Sequence, residues 1–164
     1  MMSILRAAFG SEDEAKLVSD LLGDPSAQPY LSLLAFKKDR AVGYILFTKA
    51  HLNSFPSISV SILAPLGVIP SYQRQGIGGS LIQYGLQVLA DSGVDLVFVL
   101  GHPEYYPRFG FKPAGKHGFD APYPIHEKNA DAWMVRSLRP GIVDNYSGKV
   151  ICAEKLKKPE YWHE

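Results

Sequence analysis

Short apolar runs bounded by turn residues predict three β-strands in the first half of the chain. Residues 30–36 and 41–48 flank the polar turn 37–40 and are predicted to form a hairpin. The third strand covers residues 58–69, where apolar residues first alternate with serines. Pro65 lies inside this strand and cannot donate to a ladder, so the strand must bulge or part from its neighbour there.

Helical spacing predicts two helices. In the first, Ser11 and Glu14 form a capping box, apolar residues follow at helical spacing as far as Leu22, and Gly23 ends the helix. The second begins after a glycine-rich loop, continues to about Asp91 and is stopped by Gly93. Its apolar stripe consists of Leu81, Ile82, Leu86 and Leu89.

The second half of the chain completes a mixed sheet. Residues 94–100 are nearly all apolar, as in a strand covered on both faces, so residues 58–100 predict a right-handed parallel strand–helix–strand unit. Further strands are predicted at 132–138 and 149–153, and 113–130 is predicted to be irregular. The fold class is therefore α/β or α+β, with about six strands flanked by helices.

Length, charge and residue content exclude several classes of protein. The 164 residues predict one domain, 1–164, in which 141–164 form a C-terminal extension. A net charge of +1 and short apolar runs argue against nucleic-acid and membrane partners. The single Cys152 excludes an intrachain disulfide, and the five histidines lack metal-ligand spacing. We expect a soluble cytoplasmic protein without a metal.

Three glycines before the second helix are the main chemical signal. Gly76, Gly78 and Gly79 let a ligand approach the backbone, and a helix N-terminus offers unpaired N–H donors to an anion. A P-loop and a dinucleotide-binding fingerprint would each need a further glycine at position 81. That position is Leu81, so the loop matches neither motif. The alternative is that these glycines serve only close packing.

Two motifs in order resemble the GNAT superfamily of N-acetyltransferases. The run Gln73-Arg-Gln-Gly-Ile-Gly78 matches its (Arg/Gln)-x-x-Gly-x-(Gly/Ala) motif, and Tyr106-Pro-Arg-Phe-Gly-Phe111 resembles its Tyr-x-x-x-Gly-Phe segment. Residues 101–106 are similar to the YhbS-like branch of small acetyltransferases. The resemblance covers about residues 3–140. It implies the GNAT fold, with a mostly antiparallel sheet and one splayed parallel pair.

The chain departs from the family at its start. The family begins with an edge strand before its first helix, whereas this chain begins in the region of that helix. We therefore expect the first edge strand to be missing, a truncated start being equally possible. An exposed edge can pair with another chain, so a homodimer is possible.

The resemblance implies acetyl-CoA as co-substrate. The pyrophosphate would bind backbone amides from Gln75 to Ser80, with Arg74 adding a charge, and the pantetheine arm would pair with a strand edge. The implied binding residues are Leu66, Gly67, Val68, Arg74, Gln75, Gly76, Ile77, Gly78, Gly79 and Ser80.

The implied reaction is direct attack of a primary amine on the thioester in a ternary complex. Tyr106 matches the family's general acid, with Tyr105 as its neighbouring rival, and the Val68 amide is the expected oxyanion donor. The base is open, and the candidates are Glu104, His51, His102 and a water relay along Ser57, Ser59 and Ser61.

The acceptor is a small molecule or an exposed protein amine. Two alternatives are a non-catalytic acyl-CoA sensor or interaction module on the same fold, and a different kind of nucleotide-binding domain.

Overall fold

A computed structural model describes residues 12–162. Its helices are α1 (Glu12–Leu22), α2 (Ile77–Asp91) and the short α3 (Ile142–Asn145). Its strands are β1 (Leu31–Lys37), β2 (Arg40–Leu52), β3 (Phe55–Val68), β4 (Leu96–Leu100), β5 (Lys112–Pro113), β6 (Phe119–Asp120), β7 (Trp133–Ser137) and β8 (Gly148–Ile151). Ser11 of the predicted capping box lies outside the described residues, and so does the start of the chain, where the first edge strand is predicted to be missing.

One sheet has the strand order β5-β7-β4-β3-β2-β8-β6, and β1 also pairs with β2. The β1–β2 hairpin is confirmed, as is the parallel pairing of β3 with β4 across α2. The sheet has eight strands instead of the predicted six. β5, at the start of the segment 113–130 that was predicted to be irregular, and β6, within it, account for the difference, because two-residue strands are too short to show alternation.

β3 pairs with its two neighbours over different lengths. It pairs with β2 from Phe55 to Val68, but its register with β4 extends only from Val60–Leu96 to Ile62–Phe98. The register with β2 shifts between Ile45 and Phe47, opposite the stretch that contains Pro65. The predicted fault at Pro65 is therefore confirmed, and beyond Ile62 the β4 side of β3 is free of that strand.

Two hydrophobic clusters cover the two faces of the sheet. One joins α1 to the C-terminal residues through Leu46, Phe98 and Trp133, and the other joins α2 to residues 105–111 through Phe47 and Phe111. Alternate residues of β2 and β4 point to opposite clusters, which explains why their sequences are apolar throughout. The second cluster lies beneath the site described below.

The C-terminal segment is tied to the loop after α1. β8 pairs with the end of β2 through His51 and Leu52. Asp24 accepts hydrogen bonds from the Ser26 hydroxyl (2.7 Å) and from the Lys155 N–H (3.0 Å), and the Ser26 hydroxyl accepts one from the Glu154 N–H (2.8 Å). These bonds hold residues 154–155 against residues 24–26.

Within residues 12–162, β1 pairs with β2 alone. A homodimer formed through an open sheet edge stays a prediction. None of the helices among residues 12–162 is both long and apolar enough to cross a membrane.

Candidate active site

A cleft of about 870 Å³ opens where β3 leaves β4 and the N-terminus of α2 approaches. Three segments build it: the end of β3, the loop and first turns of α2, and the segment after β4. The lining residues are Leu66, Gly67, Val68, Tyr72, Gln73, Arg74, Gly76, Ile77, Gly78, Gly79, Ser80, Gln83, His102, Tyr105, Arg108 and Phe109. Nine of the ten predicted binding residues are therefore brought together at one site.

The backbone of β3 presents alternate residues to this cleft. The Ile69 N–H donates to the Val42 carbonyl at 2.8 Å, so Ile69 lies in a hydrogen-bonded pair with β2. Because such pairs alternate in an antiparallel ladder, the groups of Val68 and Leu66 point to the opposite edge, and those of Gly67 point to β2. The Gln73 side-chain amide donates to the Val68 carbonyl at 3.0 Å.

The N-terminus of α2 offers unpaired donors to the same cleft. Gly76 is the N-cap with a φ of +81°, a conformation that favours glycine, and it has no side chain to cap the helix. The first intrahelical bond of this turn runs from the Ser80 N–H to the Gly76 carbonyl at 2.9 Å. The N–H groups of Ile77, Gly78 and Gly79 are thus left for a ligand, at the positive end of a 15-residue helix.

Gly78 and Gly79 also make room for the segment after β4. A Cβ on Gly78 would lie 2.7 Å from the Tyr105 hydroxyl oxygen, and one on Gly79 would lie 3.0 Å from the Phe109 ring. No atom lies within 4 Å of a Cβ placed on Gly76. Gly78 and Gly79 therefore do serve close packing, as the alternative predicted. The same turn also exposes its backbone amides to the cleft.

The charges of the cleft are positive. Arg74 and Arg108 line it, and the described residues that line it include no aspartate or glutamate. The Arg108 guanidinium lies 5.8 Å from the centre of the Tyr105 ring, in a cation–π contact. Burial raises the pKa of Tyr105, and the nearby Arg108 charge opposes that rise. Tyr105 is therefore a neutral phenol at physiological pH.

The two adjacent tyrosines occupy different places. Tyr105 reaches the first turn of α2, as its contact with Gly78 shows. Tyr106 is 8% exposed, does not line the cleft, and packs its ring on Gly101 directly after β4, where no room is left for a Cβ. Tyr106 begins the short 3₁₀ helix Tyr106–Phe109.

The structure separates the remaining candidates. Gln75 lines a neighbouring groove between β1 and α2 instead of the cleft. His51 pairs with Ile151 near the far end of β2. It is six residues along the strand from Ile45, which faces Leu66 of the cleft, and so lies roughly 20 Å from the cleft along β2. Glu104 is exposed outside the lining, and of the three candidate bases only His102 lines the cleft.

The serine relay is also displaced from the cleft. Ser61 is opposite Val97 in the paired part of β3, and the Ser59 N–H donates to the Asp95 carboxylate at 2.8 Å. These serines lie before the point where the strands part, so they do not line the cleft. Ser59 instead holds the buried Asp95, the residue before β4, through its backbone N–H.

Four residues of the cleft are not predicted from the sequence: Tyr72, Gln83, Arg108 and Phe109. Arg108 and Phe109 lie within the Tyr-x-x-x-Gly-Phe segment, and that motif could have indicated them. Gln83 is one helical turn after Gly79, so helical spacing also indicates it once the N-terminus of α2 is placed. Within the described ranges, no group of three histidine, cysteine or acidic side chains could hold a metal ion.

Comparisons with known proteins agree with this geometry. The acetyltransferase (GNAT) family model matches residues 1–111. Over 149 residues the chain is 50% identical to the uncharacterised N-acetyltransferase YjhQ of Escherichia coli K12, covering 90% of this chain and 82% of that protein. It is 33% identical over 157 residues to the uncharacterised N-acetyltransferase YhbS of the same strain, covering 95% and 90%.

Solved structures show the same fold. The crystal structure of YhbS from Escherichia coli in complex with CoA matches with a TM-score of 0.84 and 30% identity, over 95% of this chain and 84% of that one. A GNAT acetyltransferase from Brucella melitensis in complex with acetyl-CoA matches with a TM-score of 0.73 and 26% identity, over 94% and 88%. The predicted GNAT fold and acyltransferase class are confirmed, and the chain belongs to the acetyltransferase (GNAT) family.

Proposed function

We propose that this protein transfers the acetyl group of acetyl-CoA to a primary amine, by direct attack of the amine in a ternary complex. One observation carries the proposal: the same cleft joins the unpaired amides of α2 to an open edge of β3. Two complexes of related structures with CoA or acetyl-CoA support the choice of donor.

The first turn of α2 suits a diphosphate. The amides of Ile77, Gly78 and Gly79 converge at the positive end of the helix dipole, and the space beside Gly76 is open. Arg74, with a φ of +63°, lines the cleft next to this turn and adds a positive charge. Together these groups would hold the pyrophosphate of acetyl-CoA.

The open edge of β3 suits the amide-containing pantetheine arm. The N–H and C=O groups of Leu66 and the N–H of Val68 face the cleft and can pair with it as a neighbouring strand would. Gly67 lines the cleft, but its backbone groups are directed to β2, so its contribution is limited to contact. The Val68 carbonyl is already bonded to Gln73.

The reaction requires a donor for the thioester oxygen and an acid for the departing thiolate. The Val68 N–H points into the cleft and would stabilise the negative charge on that oxygen. Tyr105 lines the cleft and reaches the first turn of α2, whereas Tyr106 packs on Gly101 at the end of β4 and is not among the lining residues. We assign proton donation to Tyr106 because of its place in the Tyr-x-x-x-Gly-Phe motif, and a binding role to Tyr105.

The attacking amine must lose its proton. An alkyl ammonium has a pKa of about 10, so a base must act on the acceptor. His102 is the one of the three proposed bases that lines the cleft, and a water relay is the alternative. The acceptor is an amine of a small molecule or an exposed amine of a protein.

The second candidate function is a non-catalytic acyl-CoA sensor. It is favoured by the lack of any carboxylate among the described residues of the cleft, since a carboxylate is a common proton acceptor. A sensor and an enzyme share the same donor site. They differ in whether an amine makes the thioester break.

Calorimetric titration with acetyl-CoA, with ATP and NAD as controls, tests the donor site. We expect micromolar binding of acetyl-CoA alone. Release of free thiol from acetyl-CoA in the presence of a panel of primary amines then separates enzyme from sensor. Binding without amine-dependent thiol release would favour the sensor, and no binding would exclude both functions.

A further inference from the structure

A second depression extends the cleft along α2. It has a volume of about 510 Å³ and lies between α2 and residues 108–110. It shares Gln83, Arg108 and Phe109 with the cleft and continues to Gln87 and Arg136. We call it the α2 seam. The described residues that line it include two arginines and no carboxylate.

The order of groups along CoA indicates which of them would reach this seam. If the diphosphate binds at Gly76–Ser80 and the pantetheine arm follows β3, the adenosine must leave on the other side of the diphosphate. Gln83 is one turn of α2 beyond Gly79, about 6 Å along the helix axis. The 3′-phosphate is separated from the diphosphate by one ribose, so it reaches the level of Gln83 and Arg108.

The two arginines of the seam differ in whether their side chains can bind a ligand. Arg136 is committed to the backbone, because its Nε donates to the Phe109 carbonyl at 3.0 Å and its Nη1 donates to the Ser137 carbonyl. Arg108 is exposed and lies on the face of the Tyr105 ring. No carboxylate of residues 12–162 forms an ion pair with Arg108.

We propose that Arg108 binds the 3′-phosphate of the coenzyme at the mouth of the α2 seam and so selects CoA over dephospho-CoA. The cation–π contact with Tyr105, at 5.8 Å, places the guanidinium at the mouth of the seam, where its N–H groups can bind phosphate oxygens. Arg74 neutralises the diphosphate at the other end of the turn. This assignment rests on the proposed donor site, and it adds a determinant that the glycine motif does not contain.

The test is calorimetric titration with CoA and with dephospho-CoA, which differ only in the 3′-phosphate. The proteins are the wild type, Arg108→Gln and Lys128→Gln, a matched loss of one positive charge at an exposed position outside the cleft. We expect Arg108→Gln to weaken CoA binding on the order of tenfold, the size of one charge-assisted hydrogen bond at a solvent-exposed site. Its affinity for dephospho-CoA should stay at the wild-type value.

The outcomes are distinguishable. Equal weakening of both ligands by Arg108→Gln would overturn the proposal, because the lost contact would then be to the diphosphate or to the folded site. Unchanged CoA binding would overturn it as well. Arg108→Lys, which keeps the charge, should recover part of the preference for CoA. Failure of the wild type to bind either ligand would instead refute the donor site itself.

Discussion

The Tyr105 hydroxyl lies where a side chain on residue 78 would begin, because a Cβ added to Gly78 would be 2.7 Å from its oxygen. The tyrosine that directly precedes one motif thus occupies the space left by a glycine of the other. The contact joins α2 to the segment after β4 beside the exposed amides of the helix. Gly78 therefore serves packing between two elements as well as access for a ligand.

We expect Gly78→Ala to weaken acetyl-CoA binding about tenfold, since the new methyl group must displace the Tyr105 side chain into the cleft. Tyr105→Phe removes the oxygen that it would meet. The double variant Gly78→Ala/Tyr105→Phe should therefore bind more tightly than Gly78→Ala alone, as measured by calorimetry. If the second substitution gives no recovery, the methyl group acts on the ligand directly.

Tyr106→Phe should lower kcat by about a hundredfold while the Kd for acetyl-CoA stays within twofold, because the hydroxyl acts on the leaving thiolate. Tyr105→Phe is the matched control and should leave kcat nearly unchanged. The measurement is thiol release at saturating amine, combined with calorimetry. Equal kcat values for wild type and Tyr106→Phe would remove Tyr106 from the mechanism.

His102→Gln should lower kcat at least tenfold if His102 accepts the amine proton. Glu104→Gln changes an exposed neighbour outside the cleft and should have little effect. Thiol release is measured at saturating acetyl-CoA and amine for each variant. An unchanged kcat for His102→Gln would favour the water relay.

Cys152 should not react in the folded protein. It is 5% exposed, and burial raises the pKa of its thiol to about 11. At pH 8 only about one molecule in a thousand carries the thiolate, the reactive form. We expect a disulfide reagent to label the native protein slowly and to label one thiol per chain in denaturant. Fast labelling of the native protein would contradict the packing of the C-terminal segment.

Asp24 should stabilise the fold at neutral pH and lose that effect in acid. Burial alone would raise its pKa, but hydrogen bonds from the Lys155 N–H and from Ser26 outweigh burial and lower it. A carboxyl with a depressed folded pKa stabilises above its unfolded pKa, near 3.9, and the stabilisation is lost as the pH falls through the folded value.

The variant Asp24→Asn tests this linkage. We expect it to reduce the free energy of unfolding by about 1–2 kcal/mol at pH 7, because a buried acceptor of backbone N–H groups is lost. The difference from wild type in urea unfolding should shrink at pH 3. Asp131→Asn, at an exposed position, is the control. A difference that is the same at both pH values would count against the role of the charge.

The sequence by itself determined the main strands and helices and the glycine-rich loop before α2. Alternation placed β3, helical spacing placed α2 as far as Asp91, and Pro65 marked where β3 departs from its regular pairing. These are local properties, since a proline lacks its donor and a glycine adopts a positive φ in any fold. The two motifs were sufficient for the family.

Tertiary structure decided which side chains share the cleft. Arg108 lines the same cleft as Arg74 and Gln83 because the segment after β4 lies against α2. His51 and the serines of β3 belong to other parts of β2 and β3 and do not line it. The strands β5 and β6 form only through partners distant in sequence. Register and packing are non-local, so the pattern of one segment cannot specify them.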